Sequence, residues 1–597
     1  MSLLQRFGPA LLALQLAFGI AAAHAVETAS VAWPIIGYDA RFHPTPSREG
    51  MVVSSEEIAS RVGARILAEG GNAIDAAVAT GFALAVTYPQ AGNIGGGGFM
   101  LLYLAGEKRT IAIDYRETAP RAARRDMFLG ADGEVVENLS RLSHLASGVP
   151  GSVAGLLHAQ DRYGRLSRKQ VMAPAIELAE KGFSVSYVFA ATLASPWGQR
   201  LLANPAARSY LFKPDGSTYQ PAELLRQPDL GWTLRQISER GAKGFYEGPV
   251  ADRLVAEMKR GGGLITHADL KAYTVVEREP VQGKFRGYDI VSMPPPSSGG
   301  VHLVEMLNVL DGFALKEMQH NSAAYLHVLA ETMKYAYADR SKYLGDPDFF
   351  QVPVAALTSP EYARTLRGLI DLKRATPSAK IAPATGFPKE STQTTHYSVV
   401  DRDGNMVANT YTLNFSFGSG IAVPGAGFFL NNEMDDFSVK PGVPNVFGLI
   451  GDEANAVGSM KRPLSSMTPT LVLHDGQPFL ATGAPGGARI ITVVLQLILN
   501  TLVFDMNVAD ATARPRIHHQ WLPDELVLEP GISPDTAALL ESMGYKLVTG
   551  GYLLGNSQSI MRRDGALLGV SDSRRPGGAV ATVEEIRTLD QPRSRWR

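Results

Sequence analysis

The stretch Gln393-Thr394-Thr395-His396-Tyr397-Ser398-Val399-Val400-Asp401 decides how the rest of the chain is read. Upstream of it, residues 375–392 form a connector rich in Ala, Pro, Ser, Thr and Lys, in which Pro377, Pro383 and Pro388 break any helix. Downstream, residues 395–400 alternate and carry Thr, Tyr and Val, the composition of a β-strand. A cut before Thr394 would give that threonine an α-amino group beside its own hydroxyl. Such an amine, with a pKa near about 8, can take the hydroxyl proton and make the oxygen a nucleophile at neutral pH. The same nine residues also describe an ordinary linker entering an edge strand.

The next residues continue the pattern. Asp403-Gly404 is a turn signal and Asn405 to Leu413 is a second alternating run. A three-residue loop, Arg402-Asp403-Gly404, pairs Val400 with Met406 and sets Thr394 opposite Thr412. A two-residue loop sets Thr395 there instead. Either register brings a second hydroxyl to the open end of the hairpin, as an orienting partner for the nucleophile or as a plain cross-strand pair.

Four further stretches carry polar chemistry. Leu430 to Ser438 holds Asn431, Asn432, Glu433, Asp435 and Asp436, with spacing unlike an EF-hand and better suited to gripping an ammonium group. Arg116, in Asp114-Tyr115-Arg116-Glu117, can present a planar fork to a ligand carboxylate or form a structural ion pair. Ser465 and Ser466 precede a strand, where paired serines are ordinary turn residues. Gly486 and Gly487 open the apolar helix Ile490 to Leu502, a place where backbone N–H groups can face a developing oxyanion. The glycines Gly95 to Gly98 lack the Lys-Ser/Thr of a phosphate loop and read as sites of close backbone approach. His518-His519 lacks the further ligands of a metal site, and His302, Tyr335 and Tyr337 read as packing residues.

The capping box Ser54-Ser55-Glu56-Glu57 opens a helix through Ala68, and Asn72 caps a second, apolar helix to Thr87. Residues 121–374 read as mostly helical. Residues 1–25 have the form of a signal peptide, with Arg6, an apolar run from Leu11 to Ile20 and a cleavage site after Ala25. That run is too short to span a bilayer, so a periplasmic or secreted location is expected. The 597-residue chain is 45% hydrophobic, has 60 glycines and no cysteine, and carries a formal charge of −1. This balance suits a large α/β enzyme with a small-molecule substrate, and argues against partnership with nucleic acid or an anionic membrane. No cysteine means no disulfide framework and no thiolate metal site.

Residues 393–401, with Thr410-Tyr411-Thr412-Leu413-Asn414, resemble the nucleophile segment of the γ-glutamyltransferases, which are N-terminal nucleophile hydrolases. The loops 146–152 and 293–300, the Asp-Tyr-Arg-Glu segment and the lid-like stretch Pro441 to Leu449 resemble the same family. The resemblance implies a four-layer αββα sandwich and self-cleavage into a large subunit, 26–393, and a small one, 394–597. It implies that Thr394 is the nucleophile, assisted by Thr412, with Gly486 and Gly487 as the oxyanion hole. Arg116, Ser465 and Ser466 would hold the substrate's α-carboxylate, while Asn414, Glu433 and Asp436 hold its ammonium. Substrates would be glutathione and other γ-glutamyl compounds, with amino-acid or dipeptide acceptors, and neither cofactor nor metal is expected. Two departures from some relatives stand out: Glu433 where they have glutamine, and Phe447 where they have tyrosine. The alternatives are a related glutaryl acylase or poly-γ-glutamate amidase, and an exported amino-acid-binding protein without chemistry.

Overall fold

The computed structural model describes residues 40–381, 394–445, 448–551 and 553–590. The expected signal peptide, the join through Gln393 and Phe447 lie outside them.

Two seven-stranded antiparallel sheets form the centre. The first runs, in spatial order, Ala579–Thr582, Gly50–Ser54, Thr395–Asp401, Met406–Thr412, Gly97–Leu104, Arg109–Tyr115 and Val276–Arg278. The second runs Thr45–Ser47, Ala566–Ser571, Gln558–Arg563, Gln477–Thr482, Thr470–His474, Tyr288–Ser292 and Val281–Phe285. Because side chains alternate along a strand, each sheet has two faces to cover. Met51, Phe99, Leu101 and Met406 of the first sheet meet Val291, Leu471 and Ile560 of the second in one core. Val52, Met100, Val399 and Val407, on the opposite face of the first sheet, pack on the helices Ala73–Thr87 and Ser152–Tyr163. Ile290, Val472, Leu480 and Leu568 of the second sheet pack on Gly299–Leu310, Ala323–Tyr343 and Ile490–Leu502. Three cores therefore separate four layers, helix, sheet, sheet, helix, and the expected αββα sandwich is present.

Local signals explain most elements. Asn72 caps Ala73–Thr87 with a reciprocal Asp75 contact, and every residue of that helix is buried, as its unbroken apolar surface requires. The helix Glu57–Ala68 starts differently from the expected capping box. Ser54 ends a strand, and Glu56 is the cap, its carboxylate accepting from the Ile58 and Ala59 backbone N–H groups. Ser54 Oγ instead donates to the Glu56 carbonyl. The 95–98 glycines sit where backbones touch: a Cβ on Gly96 would lie 2.0 Å from the Thr412 carbonyl oxygen, and one on Gly95 as close to that of Phe429.

Candidate active site

Thr394 lies directly before the strand Thr395–Asp401, with 7% of its surface exposed. Pairing of Thr395 with Tyr411 and Val400 with Met406 gives the three-residue loop, closed by Gly404 at φ 88°. Thr394 therefore faces Thr412, and their Oγ1 atoms are 3.5 Å apart. The Thr412 oxygen also accepts from the Asn414 backbone N–H at 2.8 Å. Asn414 adopts φ 74°, a left-handed conformation that asparagine tolerates, which turns the chain into the site. Its Nδ2 donates to the Asn432 carbonyl, so the side-chain oxygen is the end left to accept.

His396 is no candidate base, although it is two residues from Thr394. Burial pushes its pKa down to about 3, which makes it a poor proton acceptor, and its ring nitrogens are engaged by Thr410 and Ser398 on the strand interior.

Arg116 follows the strand Arg109–Tyr115 and is fully buried. Its backbone N–H is held by Asp114, and its Nε donates to the Pro463 carbonyl at 3.2 Å. Its Nη1 lies 2.9 Å from Glu433, and its Nη2 donates to Asp436. The cation expected to hold a carboxylate thus stands against the two acids expected to hold an ammonium. Glu433 and Asp436 share one 3₁₀ turn, Glu433–Asp436, whereas Asp435 points elsewhere, to Ser140 and Arg141. Burial raises the Glu433 pKa well above the usual carboxylate range, against the pull of Arg116.

The serines form the next wall. Ser465 Oγ accepts from the Met467 N–H at 3.1 Å, and its carbonyl accepts from both the N–H and the hydroxyl of Ser298. Ser297 pairs with Ser465 as a parallel β-bridge, in which the Ser465 N–H donates to the Pro296 carbonyl at 2.8 Å. The 293–300 turn, chemically silent in the sequence, is thus the bracket that fixes Ser465.

Arg340 was not singled out by the sequence. It is buried in the helix Ala323–Tyr343, donates to Ser298 Oγ at 2.9 Å and Ser466 Oγ at 3.1 Å, and lines the cavity with Thr394. Among the described residues no carboxylate lies within 4.0 Å of its guanidinium. Burial draws its pKa down to about 10, which still leaves it charged at neutral pH. One arginine in a 21-residue helix has no signature that separates it from a solvated surface residue.

Gly487 opens a short 3₁₀ turn, Gly487–Arg489, before the helix Ile490–Leu502, and lines the same cavity. Gly486 and Gly487 adopt φ 141° and 57°, backbone settings that favour glycine. The Tyr337 hydroxyl donates to the Ala488 carbonyl and braces this turn, so Tyr337 does more than fill space. Leu449, from the lid-like stretch, lies at the other side of the cavity, in a loop closed by Asn445 hydrogen bonds. His518 contacts Thr492 and Gln520, while His519 contacts Asp524 and the Trp521 N–H. Both are structural.

All the expected site residues but Gly486 line one cavity, and Gly486 adjoins it. Comparison with known proteins points to one family. The family model described as Gamma-glutamyltranspeptidase matches residues 59–582. The chain is 52% identical to the glutathione hydrolase proenzyme of Escherichia coli (strain K12), over 89% of this chain and 92% of that protein. It is 36% identical to the acylase ACY 1 proenzyme of Pseudomonas sp. (strain SE83), over 90% of this chain and 94% of that one. The solved cephalosporin acylase of Bacillus halodurans superposes with a TM-score of 0.80 at 29% identity, covering 92% of this chain and 98% of that chain. The γ-glutamyltranspeptidase of Helicobacter pylori superposes with a TM-score of 0.56 at 46% identity, covering 57% of this chain and 97% of that chain. The extent of these matches and the shared sandwich place the chain in the γ-glutamyltranspeptidase family.

Proposed function

We propose that this protein is an exported γ-glutamyltransferase and glutathione hydrolase that matures by cutting itself before Thr394. The observation that carries the reading is the Thr394–Thr412 hydroxyl pair opening into a cavity that holds both cations and acids. In the precursor, Thr394 Oγ1 attacks the preceding carbonyl, the acyl group shifts from nitrogen to oxygen, and water hydrolyses the ester. The chain becomes a large subunit, 26–393, and a small one, 394–597. The match of nearly the whole Helicobacter pylori chain to 57% of this one supports such a division.

The new α-amino group then serves as base for its own hydroxyl, a role that the weakly basic, engaged His396 does not fill. Thr394 Oγ1 attacks the γ-amide carbon of a donor such as glutathione. The Gly486 and Gly487 N–H groups stabilise the oxyanion, and the amine departs with the proton. Water or an amino-acid or dipeptide acceptor takes the γ-glutamyl group from the ester. Arg116, Ser465 and Ser466 bind the α-carboxylate, and Asn414, Glu433 and Asp436 the ammonium. Arg340 belongs to the carboxylate wall: it donates into the Ser466 oxygen, which leaves the serine proton to point into the cavity, and adds its own charge. No metal or cofactor enters these steps. Among the described residues no helix is long and apolar enough to cross a membrane, and residues 1–25 supply the export signal.

A related acylase is the second reading, favoured by the likeness to the Pseudomonas and Bacillus halodurans proteins. A glutaryl substrate would bring no ammonium to Glu433 and Asp436, whose two charges the single guanidinium of Arg116 only half offsets, which tells against it. Denaturing electrophoresis and N-terminal sequencing of purified protein, combined with release of the aniline from a γ-glutamyl anilide, test the proposal. A single uncut chain, or no turnover of the anilide, refutes it.

A further inference from the structure

A 3₁₀ turn repeats every three residues, so in Glu433–Asp436 the first and last acids share the face that meets the cavity. Met434 and Asp435 point to the other two sides, and both are buried. Whatever fixes those two residues therefore sets the rotation of the turn about its axis, and with it the aim of the two cavity-facing acids. Asn431 Oδ1 accepts from the Glu433 N–H at 3.1 Å, and Asn455 Nδ2 donates to the Asp436 carbonyl at 2.7 Å. These contacts hold the ends of the turn by its backbone.

Met434 enters a small core apart from the three of the sandwich, with Phe437 and Val439 against Phe128, Leu139 and Leu145. Apolar packing is non-directional and restrains rotation weakly. Asp435 is held differently. Ser140 Oγ donates to its Oδ1 at 2.6 Å, and Arg141 Nε reaches the same oxygen at 3.3 Å. Both donors belong to the short helix Leu139–Leu142, in the expected large subunit. Ser140 is 4% exposed and Asp435 1%, so water competes little for their bond, whereas the Arg141 side chain is 27% exposed and its contact longer. A short hydrogen bond from a hydroxyl to a carboxylate is directional and strong. The nearby pairs Lys440–Glu134 and Arg125–Glu453 are largely exposed and contribute little. From the cavity side Arg116 draws on Glu433 and Asp436, so the turn is held between a cation in front and Ser140 behind.

We propose that Ser140 is a positioning residue for the ammonium site: through its hydrogen bond to Asp435 it sets the rotation of the turn, and so aims Glu433 and Asp436 at the donor's amino group. Selectivity for an α-ammonium is then divided across the cut before Thr394, with the acids on the small subunit and their aim supplied by the large one. Arg141 has the lesser part, because its contact is longer and wetter. This inference rests on the γ-glutamyl reading of the site.

The test measures competitive inhibition of γ-glutamyl anilide hydrolysis by L-glutamate and by glutarate, on mature wild type and mature Ser140→Ala. Glutarate keeps both carboxylates and lacks the ammonium. In Ser140→Ala the glutamate inhibition constant and the anilide KM should rise about tenfold, as for a lost hydrogen bond to a charged group. The glutarate constant and kcat should stay within about twofold of wild type, since the ammonium is gripped alike before and during acyl transfer. An unchanged glutamate constant overturns the inference. So does equal weakening of glutamate and glutarate, which would mean that Ser140 serves only the fold. If Ser140→Ala does not mature, Ser140→Cys, close in size and a weaker donor, is judged by the same criteria, with a rise of about threefold or more expected for glutamate alone. Wild type that turns over no γ-glutamyl anilide would instead refute the functional reading, and this inference with it.

Discussion

Replacing Arg340 by glutamine tests the carboxylate wall at a residue that the sequence alone does not reveal. Glutamine can keep a hydrogen bond to Ser298, so the bracket between the 293–300 turn and Ser465 has a route to survive. What disappears is the charge and the donor into Ser466 Oγ. A hydrogen bond to a charged group contributes about 1.5–3 kcal/mol, equivalent to a loss of roughly 10- to 150-fold in kcat/KM. Most of the loss should appear in KM, because the carboxylate is bound alike before and during acyl transfer. The decisive assay compares γ-glutamyl p-nitroanilide with the 4-aminobutyryl analogue, which lacks the α-carboxylate but keeps the amine. Wild type should strongly prefer the first, and Arg340→Gln should erode that preference while sparing the second. Arg340→Lys should fall between, retaining charge without the planar fork. Equal losses on both substrates would show that Arg340 only supports the fold, and would refute its assignment to the carboxylate.

Thr394→Ala should remain one chain and lack anilide hydrolase activity, and splitting of the purified variant at this bond without protease would exclude self-cleavage. Arg116→Lys should weaken donor binding by about 1.5–3 kcal/mol, read as KM, with both subunits still formed. Normal donor affinity in that variant would remove Arg116 from the site. Glu433→Gln/Asp436→Asn should lose activity on γ-glutamyl anilide and keep or gain it on glutaryl anilide, since acceptors built for a cation reject a ligand that lacks one. Processing at Thr394 must be intact for that comparison. Equal losses on the two anilides would mean that the acids only maintain the architecture.

The parts of the site that lie on one hairpin were legible because strand pairing converts sequence spacing into distance. Once the loop is 402–404, Thr394 and Thr412 must meet. The buried helix Ala73–Thr87 was equally plain, its cap and its apolar surface agreeing. Arg340 and Ser298 were hidden because they reach the site through tertiary packing, from a helix and a turn more than forty residues apart. The pairing of Arg116 with Glu433 and Asp436 was hidden for the same reason: the motifs offer three candidate ligand-binding residues without saying that they face one another. Ser54 misled by pattern. Its Ser-x-x-Glu spacing is that of a capping box, yet a preceding strand takes up Ser54, and the nearby Glu56 supplies the cap oxygens.

The order of strands in the sandwich bears on what a cut before Thr394 would leave behind. In the first sheet Gly50–Ser54 lies between Ala579–Thr582 and Thr395–Asp401, so a strand from one product is clasped by two from the other. In the second, Thr45–Ser47 edges a run of strands from the far side of the cut, and Tyr288–Ser292 with Val281–Phe285 edges the other end. Neither product owns a complete sheet. On that reading the intact chain would be the mould and the cut pair the casting: assembly would have to be finished before the bond is broken, and the two pieces, once unravelled, would no longer carry the linkage that brought their strands into order.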